Sequence, residues 1–214
     1  MSRVKQARID ESITLDNVYS TGDKVKNTWS KNVFDNSNPI VLELACGWGQ
    51  YTLNLAEKHP EKNFIGVDKK GDRIWQGAKK ALSEKRTNVA FIRTLIEKLE
   101  DFFAPEEISE IWITFPDPFP KPCKSEKRLT SERFIEIYKK ILKKPGIIHL
   151  KTDNQKLFEY SLETIKRLNL KILELKEDVH SLNPLPEDLA IKTFYEEKFS
   201  KQGFPIKYVK FLIN

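Results

Sequence analysis

From Ile40 onward the chain alternates between two apolar patterns. Short continuous apolar runs, "IVLEL" (40–44), "NFIGVD" (63–68), "NVAFIRT" (88–94), "EIWITF" (110–115) and "GIIHLKTD" (146–153), fit strands buried on both faces. Between them lie segments with apolar residues three and four apart. "GDRIWQGAKKALSEK" puts Ile74, Ala78, Ala81 and Leu82 on one side of a helix. "SERFIEIYKKILKKPG" does the same with Phe134, Ile137 and Ile141 until Pro145-Gly146 stops it. A helix ending near Lys58, a helical turn in "IEKLEDFF" and a helix from about Gln155 to Arg167 complete the alternation. "KILELKEDV" (171–179) and "IKYVKFLI" (206–213) predict two final strands with no clear helix between them, joined by a long connection over 184–204. Pairing them as a hairpin makes one edge antiparallel. The expected architecture is α/β: a doubly wound, mostly parallel, seven-stranded sheet with an antiparallel edge strand. Residues 1–37 are polar with scattered apolar positions. They predict a loosely ordered arm or cap, docked by Trp29 and Phe34, ahead of one domain over 38–214.

Composition narrows the class. The 214 residues suffice for one α/β core. No apolar run is long enough to span a membrane, and the N-terminus lacks the apolar stretch of a signal peptide, so a cytoplasmic location is the default. Cys46 and Cys123 have no zinc-type spacing and read as incidental thiols; no metal is expected. The net charge of +6 is modest, but its distribution is uneven. Lys121, Lys124, Lys127, Arg128, Arg133, Lys139, Lys140, Lys143 and Lys144 are opposed only by Glu126, Glu132 and Glu136. On charge alone this tract is either a solvated helix face or a phosphate-binding surface.

In a doubly wound sheet, ligands bind at the carboxyl ends of the strands, so the residues just after each strand carry the chemistry. The first strand ends in Glu43-Leu44-Ala45-Cys46-Gly47-Trp48-Gly49. Gly47 and Gly49 fit the first two positions of a dinucleotide fingerprint, but the third falls on Thr52. A carboxylate before the turn suits a ligand with positive charge, such as S-adenosylmethionine, better than a pyrophosphate. Asp68 ends the second strand, where an acid can accept from ribose hydroxyls. This combination points to adenosine binding and leaves the choice between S-adenosylmethionine and a nicotinamide dinucleotide open. Asp117 and Asp153 follow the fourth and fifth strands, which gives four acids on one rim. The fourth strand runs into "FPDPFPKP", where prolines fix the backbone around Asp117 and Lys121. His59, His149 and His180 have no evident role.

Four pieces together carry a family resemblance: "ELACGWG", "FPDPFPK" followed by Lys127-Arg128, "KTD" at Lys151 to Asp153, and "TFYE" at Thr193 to Glu196. In this order and approximate spacing they resemble bacterial tRNA (guanine-N7-)-methyltransferases of the TrmB type, over about residue 39 to the C-terminus. The resemblance implies a Rossmann-like methyltransferase fold, S-adenosylmethionine as cosubstrate, tRNA as partner and transfer to N7 of a guanine in the variable loop. It implies that Glu43, Ala45, Gly47, Gly49, Asp68, Leu95, Ile96 and Asp117 line the cosubstrate site, Asp117 being the catalytic residue. It further implies that Lys121, Asp153, Thr193, Phe194, Tyr195 and Glu196 meet the guanosine, and that Lys127, Arg128, Lys139 and Lys140 follow the phosphates. Ala45 stands where the family has glycine, and Leu95 where it has an aspartate that would bind adenine. The oligomeric state, monomer or homodimer, stays open. Two other readings remain: a methyltransferase for an exocyclic amine or a protein amide, whose N/D-P-P-Y/F loop "PDPF" approaches, and a non-catalytic RNA-binding module.

Overall fold

A computed structural model describes residues 2–193, 196–197 and 203–213 of the chain. In chain order the elements are α1 (Arg3–Ser12), β1 (Val18–Tyr19), β2 (Ile40–Leu44), α2 (Gln50–Lys58), β3 (Asn63–Asp68), α3 (Gly71–Ser83), β4 (Val89–Arg93), α4 (Leu99–Phe102), β5 (Ile108–Thr114), α5 (Glu132–Ile141), β6 (Leu142–Thr152), α6 (Gln155–Arg167), β7 (Lys171–Lys176), α7 (Glu187–Ala190) and β8 (Lys207–Ile213). The strands form one eight-stranded sheet in the order β1-β4-β3-β2-β5-β6-β8-β7. β1 through β6 pair in parallel, and β8 runs antiparallel to both β6 and β7. Every residue of β2 and β3 is buried, as expected where helices cover both faces of a parallel sheet. One face packs on Trp29, Leu42, Phe103, Tyr138 and Phe158, the other on Tyr51, Phe91, Trp112 and Tyr208.

The order of strands reverses between β2 and β5. From β2 the chain steps to β3 on one side, while β5 pairs on the other. The connections diverge there, and in doubly wound sheets ligands bind outside the carboxyl ends of the strands at such a point. The glycine turn and the proline loop leave the sheet at this point.

Three expectations are corrected. The sheet has an eighth strand, β1, supplied by the N-terminal arm, which is not loose. The Trp29 ring is fully buried, donates from Nε1 to the Phe102 carbonyl at 2.9 Å and stacks on Phe103 at 5.5 Å. Helix α1 is tied to α3 through Glu11, which accepts from Trp75 Nε1 at 2.8 Å and from Lys79 at 2.9 Å. The expected antiparallel edge is present: β7, at the edge, pairs antiparallel with β8. Helix α5 ends at Ile141 rather than at Pro145, because buried Leu142 already pairs with Ile108 of β5. Finally, Leu82 is not a core residue of α3 but is 41% exposed. No helix of the described residues is long and apolar enough to cross a membrane.

Candidate active site

The turn after β2 is built from left-handed backbone. Ala45 (φ 57°), Gly47 (φ 56°) and Gly49 (φ 67°) reverse the chain into α2. The two glycines serve different ends. A Cβ on Gly49 would lie 2.6 Å from the Phe91 ring, so this position is closed by packing. A Cβ on Gly47 would meet nothing within 4 Å, so its backbone is open to a ligand. Ala45 holds the same conformation with a side chain, at a cost of about 1–2 kcal/mol.

Glu43 lies beneath this turn instead of lining its open side. One oxygen accepts from the Thr52 amide at 2.8 Å and from the Thr52 hydroxyl, the other from the Thr114 hydroxyl at 2.7 Å. Burial pushes its carboxyl up to about 7, and the Thr52 and Thr114 bonds oppose that rise. Glu43 therefore ties the start of α2 to the end of β5. Asp68 is next to the turn: its oxygens accept from Gly47 N at 3.0 Å and Lys70 N at 2.9 Å. Leu95 follows β4, adjacent to Asp68 in the sheet, and is 47% exposed; Ile96 packs on the core.

The proline loop is strained. Phe115 (φ 47°) and Phe119 (φ 42°) both adopt left-handed backbone, and each precedes a proline. Bulky residues rarely do this, and such strain persists only where the surroundings enforce it. Around Phe119, Arg128 provides the enforcement. Its Nε donates to the Pro118 carbonyl at 3.2 Å, its Nη2 to the Phe119 carbonyl at 3.1 Å, and its guanidinium lies 4.3 Å from the centre of the Tyr160 ring. The loop has no ladder to satisfy these carbonyls, so a buried guanidinium does. Asp117 stays exposed between the two phenylalanines, accepting from Phe119 N at 3.2 Å. Lys121 and Lys127 follow, both exposed.

The expected phosphate contacts are placed in different surroundings. Arg128 is buried and committed to the loop. Lys139 and Lys140 stand at the far end of α5, next to Leu142, which pairs with the first residue of β5. That is the amino edge of the sheet, opposite the proline loop. There Lys139 pairs with Glu136 at 2.8 Å and Lys140 with Glu100 at 2.9 Å, and both line a shallow cavity with Lys26 and Lys144.

At the end of β6, Asp153 is half-buried, and desolvation raises its carboxyl above the usual range. The connection to β8 returns over this edge. The Thr193 hydroxyl accepts from Glu196 N at 3.1 Å, and the Thr193 carbonyl accepts from Glu197 N at 3.0 Å. Glu196 is fully buried in an ion pair with Lys151 at 2.8 Å. Phe194 and Tyr195 lie outside the described residues. Sequence reasoning named Arg128 as a phosphate contact and Lys151 only within "KTD"; it missed the hold of Arg128 on the proline loop and the buried pair of Lys151. The signal for Lys151 was a lysine inside an otherwise apolar strand, "GIIHLKTD", since buried lysines occur almost only in pairs. Among the described residues, no group of three or more His, Cys, Asp or Glu side chains is placed to hold a metal ion.

A doubly wound sheet with an open glycine turn and a strand-end acid at its switch point defines the Rossmann-like nucleotide-binding class. The comparisons narrow it. Residues 37–209 match a family model described as "Putative methyltransferase". A tRNA (guanine-N(7)-)-methyltransferase of Christiangramia forsetii is 48% identical over 93% of this chain and 88% of its own length. One of Porphyromonas gingivalis is 46% identical over 89% and 78%, and one of Listeria innocua 38% identical over 85% and 83%. Among solved structures, the 16S rRNA methyltransferase KamB superposes with a TM-score of 0.66 at 12% identity, covering 91% of this chain and 98% of its own; at that identity the likeness concerns the fold alone. The chain belongs to the bacterial tRNA (guanine-N(7)-)-methyltransferase family.

Proposed function

We propose that this protein transfers a methyl group from S-adenosylmethionine to N7 of a guanine in tRNA, in the variable loop, and that it acts in the cytoplasm. The observation that carries the reading is the pairing of open turn and exposed acid at the switch point. Gly47 leaves room beside Asp68, and Asp117 is held across the crevice by a strained loop. The residues fit the cosubstrate. Asp68 would accept from its ribose hydroxyls, and the exposed Leu95 would offer an apolar face to its adenine, in place of a side-chain hydrogen bond. Glu43 acts on it only indirectly, by holding Thr52 and Thr114. We read residues 1–37 as a cap on residues 38–214, with β1 as its attachment.

When bound, S-adenosylmethionine supplies a methyl group activated by a sulfonium. Guanine N7 carries its lone pair in the neutral base, so no proton has to leave before it attacks. The protein's task is placement, worth roughly 7–11 kcal/mol of barrier when reacting groups are held in line. Positive charge develops on the purine as the methyl transfers, and the Asp117 carboxylate at this edge would stabilise it. Lys121, Asp153 and Thr193 are read as the guanosine-binding side of the same edge, with Glu196 buried behind them in its ion pair with Lys151.

The test has two parts. Mass spectrometry of unmodified tRNA treated with the protein and S-adenosylmethionine should reveal 7-methylguanosine in the variable-loop fragment; methylation of another base or fragment overturns the reading. In single-turnover transfer, Asp117→Asn should lower the rate while leaving tRNA binding within about twofold, since an amide keeps the shape but not the charge. The parent's rate should show no tenfold rise per pH unit near neutrality, because no proton has to leave guanine N7 before it attacks.

A further inference from the structure

Lysine is almost never fully buried without a partner. Lys151, near the carboxyl end of β6, has no exposed surface. Its ammonium has three protons to donate, and three acceptors meet them: the Leu189 carbonyl at 2.7 Å, the Ile191 carbonyl at 3.0 Å and Glu196 Oε2 at 2.8 Å. All three belong to the connection between β7 and β8. The cation also lies 5.4 Å from the centre of the Tyr51 ring, and the Tyr51 hydroxyl donates to the Asp188 carbonyl at 2.5 Å. The main-chain carbonyl of Lys151 meanwhile accepts from Phe115 N at 2.9 Å, where the proline loop begins. One residue thus touches the helix after the glycine turn, the root of the Asp117 loop, and the segment that carries Thr193 and Glu196.

A buried ion pair is a weak source of net stability, because desolvating both charges offsets their attraction. Here desolvation draws Lys151 below and Glu196 above their usual ranges, while each opposes the other's shift. The second Glu196 oxygen faces His180 Nε2 at 3.2 Å. A plain apolar contact could fill the same volume. What three directed hydrogen bonds add is geometry: they fix where residues 189, 191 and 196 stand relative to the sheet.

We propose that Lys151 is a positioning residue, whose ammonium, anchored on buried Glu196, sets the register of the β7–β8 connection on the carboxyl edge so that Thr193 faces the crevice between the glycine turn and the proline loop. It touches no reacting atom and acts through the connection. The inference rests on the reading that Thr193 and its neighbours receive the guanosine.

The test uses Lys151→Met in the full chain. The Michaelis constant for tRNA should rise about tenfold or more, while S-adenosylmethionine affinity by calorimetry stays within about twofold. Amide exchange over residues 187–193 should accelerate about tenfold while β2 to β5 keep their protection. Should Lys151→Met not fold, Tyr51→Phe decides. It removes one other tie to the same segment and should raise the tRNA constant about threefold, with faster exchange near Asp188. A folded variant whose exchange over 187–193 matches the parent overturns the proposal, as does one whose tRNA constant is unchanged. If the parent itself transfers no methyl group to guanine N7, the functional reading fails instead, and the exchange measurement still decides whether Lys151 holds the connection.

Discussion

Glu43 shows how much one residue's role depends on depth. In the sequence it is an acid at a strand end, the same kind of residue as Asp68. In the fold it lies under the glycine turn with both oxygens held by threonines. Its carboxyl rises from an ordinary 4.5 to about 7, chiefly because it is buried. A folded-state value above the unfolded one means that the fold favours the protonated acid. Its contribution is therefore fully present below about 4.5 and is lost as pH rises through about 7. The shift corresponds to roughly 3 kcal/mol between those limits. Thermal unfolding of the parent should show stability declining across this window, and Glu43→Gln should flatten the decline, since an amide has no proton to lose. Parallel pH profiles for the two proteins would mean that the ionisation of Glu43 costs the fold nothing.

At the scale of elements, the proline loop is the part whose shape depends on a distant residue. Prolines fix φ but do not by themselves hold Phe115 and Phe119 in left-handed backbone. Arg128 does so around Phe119, by donating to the Pro118 and Phe119 carbonyls while stacking on Tyr160 of α6, and Phe115 is tied by its amide to the Lys151 carbonyl. Arg128→Ala should cost about 1.5–3 kcal/mol of stability, the range for hydrogen bonds to a charged group. It should also slow methyl transfer about tenfold, because Asp117 loses its frame. Arg128→Lys should not restore the rate, since an ammonium has neither the planar fork nor the stacking face. Melting curves together with single-turnover rates check this; a lysine variant at full rate would show that charge alone suffices.

Over the whole molecule, what the sequence reveals divides by range. The strands and their carboxyl ends were legible because buried parallel strands are local apolar runs, as β2 and β3 illustrate. Val18–Tyr19 was not, because a two-residue strand has no periodicity and is defined by its partner Phe91–Ile92. The structural roles of Arg128 and Lys151 were not, because their acceptors lie up to 45 residues away. The basic tract was visible, but its division between two edges was not: that depends on where α5 ends. Lys121, Lys124 and Lys127 are exposed beside the proline loop, whereas Lys139, Lys140 and Lys144 sit at the opposite edge, the first two in ion pairs. These groups should behave differently toward tRNA. Each RNA phosphate that is no longer neutralised should reduce the slope of log affinity against log salt by about 0.7–0.9. Replacing Lys121, Lys124 and Lys127 together by Gln should thus flatten the slope by about 2, with weaker binding at low salt. The same change at Lys139, Lys140 and Lys144 should leave the slope within about 0.5 of the parent's. Titrations of tRNA across a salt series distinguish the two edges. A steeper loss from the second set would place the RNA backbone along the amino edge and would require the tRNA to wrap the molecule rather than dock on the rim.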